Sequence, residues 1–407
     1  MRRAPVILVI TLVVAGLGAS IVDWRFWQRW YSIPDDPGEW PASYYQPTVQ
    51  VLGERRGFFP AAKAGEETIS TAALEAAAAW AEAHNSAALL VLHRGTVQLE
   101  RYWQGIAADS LFSGRAMTRS VLALLVGIAL GEGDIQSLDD PVQQYLPAWR
   151  GDVRGQITLR QLLWNVSGLE NPPLAGDPDP FAKNARLSLG SDFPAAALSF
   201  EMEHEPGEFF ALSNANAQLL GAVLEAATGT AYEAYFQQKL WGPMAASHGE
   251  LYMDRPRGTP AVYCCFRATP RDWMRLGVAL LNDGQVDGRQ LWPKGWISEM
   301  TRGSVANPNY GFQVWVGNPP GQLRPYIQGT EFGVPHGDPI AAEQFYFLEG
   351  GGYRTLWVLP DQDLVILRLG YVTPDWQTSR LPNLILAGLQ SSDVIEITAF
   401  TTDEVVE

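Results

Sequence analysis

Phe112-Ser113-Gly114-Arg115-Ala116-Met117-Thr118-Arg119-Ser120-Val121 runs straight into Leu122-Ala123-Leu124-Leu125-Val126-Gly127-Ile128-Ala129-Leu130. Between Met117 and Leu130 the only charged side chain is Arg119, and apolar residues cover nearly every face at helical spacing. A helix that is apolar almost all round is buried between layers. This stretch therefore predicts a central helix, stopped by Gly131-Glu132-Gly133. Residues three apart share a helix face, so Ser113, Ala116 and Arg119 fall along one side of its start.

Working outward, Thr71 to His84 is an Ala-rich helix built from strong helix formers. Ala87-Ala88-Leu89-Leu90-Val91-Leu92-His93 reads as a buried strand. Arg94-Gly95 turns it into Thr96–Tyr102, whose alternation is that of a half-buried hairpin partner. From Gly133 to about Gly277 the chain is mostly helical and loop-rich, with Pro-Asp and Pro-Gly punctuation. Strand patterns return at Glu343–Leu348, Tyr353–Leu359 and, after the turn Pro360-Asp361-Gln362-Asp363, at Leu364–Leu369. Leu381–Leu389 reads as a closing helix. The expected class is α/β (α+β): one central antiparallel sheet built from both ends of the domain and flanked by helices. A mainly helical subdomain is inserted at about residues 134–277, within a domain spanning 68–390.

Residues 1–22 are set apart. After Met1-Arg2-Arg3, the 19 residues from Ala4 to Val22 carry no charge, enough helix to span the roughly 30 Å of bilayer hydrocarbon. We read an N-terminal transmembrane helix serving as a membrane anchor. A cleaved signal peptide is the alternative, cut near Leu17-Gly18-Ala19, though its apolar region would exceed the usual ~7–15 residues. Asp23-Trp24-Arg25-Phe26-Trp27-Gln28-Arg29-Trp30-Tyr31 is aromatic and basic, suited either to a membrane interface or to an ordinary amphipathic linker helix. From Ile33 to Ala64 a Pro-, Gly- and aromatic-rich stretch reads as an extended linker lying on the body, and residues 391–407 as an acidic, frayed tail.

The whole chain is 407 residues, 47% hydrophobic and 18% charged, which fits a compact globule. A net charge of −15 with only four lysines argues against nucleic acid, whose phosphates require clustered cations. Five scattered histidines make no zinc pattern, and no metal or other cofactor is called for. Cys264 and Cys265 are adjacent, a spacing that rarely closes a disulfide without strain, and are expected as a structural pair in a strand, with a redox or metal role as the alternative. Asp139 and Asp140 are expected to serve as capping and ion-pair groups, and His336 as a solvated loop residue, with a place at the cleft mouth as the alternative. No Ser-x-x-Lys occurs anywhere, because Lys63, Lys183, Lys239 and Lys294 follow Pro60, Pro180, Phe236 and Leu291 at that spacing. There is no Gly-x-Ser-x-Gly either.

Several segments, in order, carry a family resemblance over roughly residues 70–390. They include Gly127–Gly133 into Leu138-Asp139-Asp140-Pro141-Val142, Ile157–Leu163 with Ser167-Gly168-Leu169, Pro206-Gly207-Glu208-Phe209, Ser213-Asn214, Leu240–Met244 and Ala268–Gly277. The chain resembles the serine β-lactamase and penicillin-binding-protein superfamily, and within it the class C β-lactamase-related esterases and 6-aminohexanoate-dimer hydrolases. That family uses a serine nucleophile, a lysine one helical turn later and a tyrosine from a Tyr-x-Asn motif. The resemblance puts these at Ala116, Arg119 and Leu212, and only the motif's asparagine survives, as Asn214. The resemblance puts the third motif, Lys-Thr-Gly or His-x-Gly, at Leu348-Glu349-Gly350, where only the glycine matches and Gly351 or Gly352 is the alternative register.

A methyl group cannot attack a carbonyl, and a permanently protonated guanidinium cannot accept a proton. Losing such a unit costs about a millionfold in turnover, roughly 8 kcal/mol, and leaves about 10³–10⁴ over water from binding alone. The resemblance therefore implies an extracytoplasmic (periplasmic) pseudoenzyme with no intact catalytic set, and the apolar run Ala4–Val22 adds the membrane anchor. Its old acyl pocket would bind a small carboxylate or other anion through Arg119, Asn214, Ser113, Gly350 and Gly351. For Arg119 the competing role is an ion pair with a nearby acid. Two other functions stand beside this one: an active hydrolase with Ser113 or Ser120 as a displaced nucleophile, and a structural partner of another membrane protein.

Overall fold

The computed structural model describes residues 23–33, 41–54, 57–171 and 179–389. The apolar run before Asp23 and the tail after Gln390 lie outside the described residues. No described helix is long and apolar enough to cross a membrane.

Six antiparallel strands form the main sheet: β1 (Ser86–His93), β2 (Thr96–Tyr102), β3 (Trp315–Val316), β4 (Tyr346–Gly350), β5 (Arg354–Leu359) and β6 (Leu364–Gly370). Their order is β2-β1-β6-β5-β4-β3. The two ends of the domain meet where β6 pairs with β1, with Leu364 opposite His93 and Leu367 opposite Leu90. Every residue of β1 is buried, as in strands covered on both faces. One face packs Leu89, Val91, Trp357 and Ile366 against α1 (Thr71–Ala83) and, from the chain's end, Leu381 and Ile385. The other packs Leu90, Leu92, Val365 and Leu367 in the core shared with helices α2 (Thr118–Glu132), α3 (Asn214–Thr228) and α4 (Pro270–Leu281). Gly277 lets α4 lie directly on the sheet, since a Cβ there would overlap Val365 and Leu356.

Helix α2 is buried from Thr118 through Ala129 and ends on Gly133 at φ 84°, the left-handed terminus that glycine adopts without penalty. Its all-round apolarity is thus explained by position: α3 packs against it and Trp296 lies across Gly127.

Three expectations need correcting. There is more than one sheet: Thr48–Val51, Gly249–Tyr252, Arg267–Ala268 and Phe112–Ser113 make a separate four-stranded one. The stretch expected as a linker supplies one of its strands, and the expected helical insertion supplies two. The main sheet also has a short edge strand, β3, whose two residues are too few to show a period.

The aromatic segment after Asp23 forms a helix, Trp24–Trp30, docked on the body. Phe26 and Arg29 are buried, and the Asp23 side chain accepts from Phe26 N–H at 3.0 Å and Ser191 N–H at 2.8 Å. Asp139 accepts from Arg160 at 2.7 Å, while Asp140 accepts from Ser137 N–H and the Tyr145 hydroxyl.

Candidate functional site

Helices α2 and α3 both begin at one small cavity of about 170 Å³. Ala116, in the helical turn that leads into α2, lines it together with Arg119; so does Leu212, two residues before α3. Gly350 and Gly351, at the end of β4, form another wall with Glu349. The three positions where the resemblance puts catalytic groups therefore converge in space, but with a methyl, a guanidinium and an isobutyl group.

Gly350 is required there. A Cβ on it would overlap the Gly114 carbonyl oxygen and Arg115 Cβ, so only glycine lets the sheet edge close against the Ala116 turn.

Arg119 is 4% exposed. Its Nη2 donates to Asn214 Oδ1 and its Nε to the Tyr263 carbonyl at 3.2 Å. Its Nη1 is buried without a hydrogen-bond partner, and among the described residues no carboxylate forms an ion pair with it. Burial holds the guanidinium below its ordinary range, and the Tyr310 and Tyr326 phenols beside it offset this in part. Asn214 is the first residue of α3 and Arg119 the second of α2. The positive ends of two helix dipoles thus meet at the cation, an environment that favours an anion.

The rest of the wall is Tyr310, Gln313, Trp315, Tyr326 and Phe332. Tyr310 accepts from Asn165 Nδ2 and donates to Gln313 Oε1, both at 3.2 Å. Tyr326 donates to Glu349 at 3.0 Å, and Glu349 is ion-paired with the buried Arg324. Burial pushes both phenols above the tyrosine range, so neither accepts a proton near neutrality. The sequence reading missed these residues. They lie between α4 and β4, where short strands alternate with Gly- and Pro-rich turns and no period marks which side chains face inward.

The serines weighed as displaced nucleophiles do not line this cavity. Ser120 donates to the Gln313 carbonyl at 2.6 Å. Ser113 lies in the second sheet and accepts from Arg115 N–H at 3.2 Å. His336 also stands elsewhere and is not solvated: it is buried, with Nε2 3.0 Å from Asn318 Oδ1. Burial, with Arg324 nearby, lowers its pKa to about 4.

Cys264 and Cys265 correct another expectation, for they are disulfide-bonded to each other. The chain turns at Cys265, whose φ is +79°, bringing neighbouring side chains together as an extended strand does not. This turn flanks the site. Cys265 N–H donates to the Arg115 carbonyl at 3.1 Å, and Phe266 N–H to Thr118 Oγ1 at 3.0 Å. Among the described residues no cluster of His, Cys, Asp or Glu is placed to hold a metal ion.

Residues 71–373 match the β-lactamase family model. Protein flp of Staphylococcus aureus (strain COL) is 28% identical over 173 residues, covering 40% of this chain. The match spans only 34% of that relative's length. The 6-aminohexanoate-dimer hydrolase of Paenarthrobacter ureafaciens is 25% identical over 321 residues, covering 76% of this chain and 77% of the relative. Among solved structures, a Bacillus anthracis protein classed as a 6-aminohexanoate-dimer hydrolase superposes with a TM-score of 0.66 at 17% identity, covering 85% and 90% of the two chains. The octameric penicillin-binding protein homologue from Pyrococcus abyssi gives 0.58 at 17%, covering 78% and 77%. These structural likenesses concern the fold.

Proposed function

The chain belongs to the β-lactamase family, and from that premise we propose that it is a catalytically empty member whose acyl pocket binds a small carboxylate. The observation that carries this is Arg119: a buried cation with no carboxylate partner among the described residues and an Nη1–H unused, in the wall of a cavity that holds no serine or lysine and whose carboxylate, Glu349, is ion-paired with Arg324. A carboxylate seated there would receive that N–H as a charge-assisted hydrogen bond and face two helix N-termini. The cavity is small, and its remaining lining is largely aromatic. The ligand class is therefore a short acid with an apolar tail. In this reading the apolar run Ala4–Val22 anchors the chain and the body lies on the extracytoplasmic side.

The test is thermal unfolding of the full chain with a series of short aliphatic and aromatic carboxylates, each paired with its neutral amide. A carboxylate at 100 times its Kd should stabilise by about 2.7 kcal/mol, its amide should not, and Arg119→Met should abolish the difference. Equal effects of acid and amide, or none from either, would remove the proposal.

A further inference from the structure

The N-terminal helix Trp24–Trp30 and the segment 41–47 enclose a second cleft, of about 400 Å³, remote in sequence from the acyl pocket. Arg25, Gln28, Arg29 and Ser32 line one side, at the three- and four-residue spacing that puts them on one helix flank, and Ser43 lies opposite. Arg29 is 6% exposed. It donates to four carbonyls: Leu189 at 3.1 Å, Gly190 at 2.8 Å, Gln46 at 3.3 Å and Met253 at 2.8 Å. Its Nε–H is buried without a partner. Among the described residues, neither arginine forms an ion pair. The acid next to them, Asp23, spends its oxygens on two backbone N–H groups. Burial, and after it the like charge of Arg25, hold Arg29 below its ordinary range. Two neighbouring cations with no counter-charge among the described residues, around a cleft with room for a ligand, call for an anion.

The neighbouring flank of the same helix says where that anion comes from. Trp24 is 74% exposed and Tyr31 82%. Trp27 stacks on Tyr31 at 6.0 Å and meets Phe181, itself 71% exposed, at 6.4 Å. Exposed aromatic rings beside arginines are the composition of a bilayer interface, and Asp23 directly follows the uncharged run Ala4–Val22.

We propose that this cleft is a phosphate site whose ligand is an anionic phospholipid headgroup, bound by Arg25 over the buried charge of Arg29 while the Trp24–Tyr31–Phe181 edge meets the acyl boundary. The assignment to lipid rests on the membrane-anchored reading above; the phosphate site does not. The full chain in neutral maltoside micelles is titrated with short-chain phosphatidylglycerol and, separately, with inorganic phosphate, reading thermal unfolding and tryptophan fluorescence.

Phosphatidylglycerol is expected to bind saturably and more tightly than phosphate. Arg25→Gln, which removes the half-buried cation and leaves Arg29 in place, should weaken both by about tenfold. Equal affinity for inorganic phosphate and phosphatidylglycerol would overturn the lipid assignment. No saturable response to either, or an unchanged response in Arg25→Gln, would overturn the site. Alkaline carbonate extraction of membranes tests the anchor by itself, so a failed anchor is told apart from a failed cleft.

Discussion

Arg119 donates to Asn214 across the starts of α2 and α3: the residue where the resemblance puts the family's lysine is bonded to the one it matches to the asparagine of the tyrosine motif. The two positions that would flank a nucleophile are thus tied to each other. A polar contact joins them, and the cavity beside them is walled by Ala116, Leu212 and Gly350.

The proposed catalytic emptiness predicts silence toward acylating reagents. The native chain should show no mass increase with a fluorophosphonate or an activated acyl probe. The triple substitution Ala116→Ser, Arg119→Lys, Leu212→Tyr should be labelled once, at position 116, and recover part of the roughly millionfold that such a unit supplies. Intact mass spectrometry with peptide mapping reads both. Labelling of the native chain at Ser113 or Ser120 would contradict the reading.

Arg119 should be costly to remove and cheaper to replace with bulk. Arg119→Ala opens a void and leaves Asn214 and the Tyr263 carbonyl unpaired, for a loss of about 3–5 kcal/mol. Arg119→Met fills the space and removes an unneutralised buried charge, so it should lose no more than about 1–2 kcal/mol. Urea unfolding of the two variants decides the order.

Gly350→Ala should separate β4 from the Ala116 turn. The added methyl overlaps the Gly114 carbonyl and Arg115 Cβ, and overpacking of this kind costs about 1–3 kcal/mol. Carboxylate binding should weaken along with stability, whereas Gly57→Ala, where a Cβ meets nothing within 4 Å, should change neither.

His336 predicts an acid-side loss of stability. Its imidazole ordinarily titrates near 6.5 and in the fold only at about 4. Between these values the unfolded chain binds a proton that the folded chain does not. Its contribution is therefore complete above pH 6.5 and is lost as pH falls toward 4, amounting to about 2 kcal/mol between pH 7 and pH 5. Urea midpoints at the two pH values should differ by less in His336→Gln than in the native chain.

The sequence by itself determined the family, the main sheet with its central helix, and which side chains stand at positions 116, 119 and 212. The apolar surface of Met117–Leu130 and the strand patterns near residues 90, 357 and 366 report burial through their own spacing, and that spacing placed a central helix beside a sheet made from both chain ends. That position 116 carries a methyl is a covalent fact needing no structure. Tertiary structure alone decided what surrounds these residues. Whether Arg119 meets an acid depends on contacts with Asn214, Tyr263 and Tyr310, far away in sequence, and no local pattern encodes them. Adjacent cysteines look unpaired until the left-handed turn at Cys265 closes them. His336 looks solvated until Asn318 and its neighbours bury it. Periodicity records only which faces are covered; the identity of the covering partner is a long-range property, and it is the partner that makes a charge a counter-ion or a binding site.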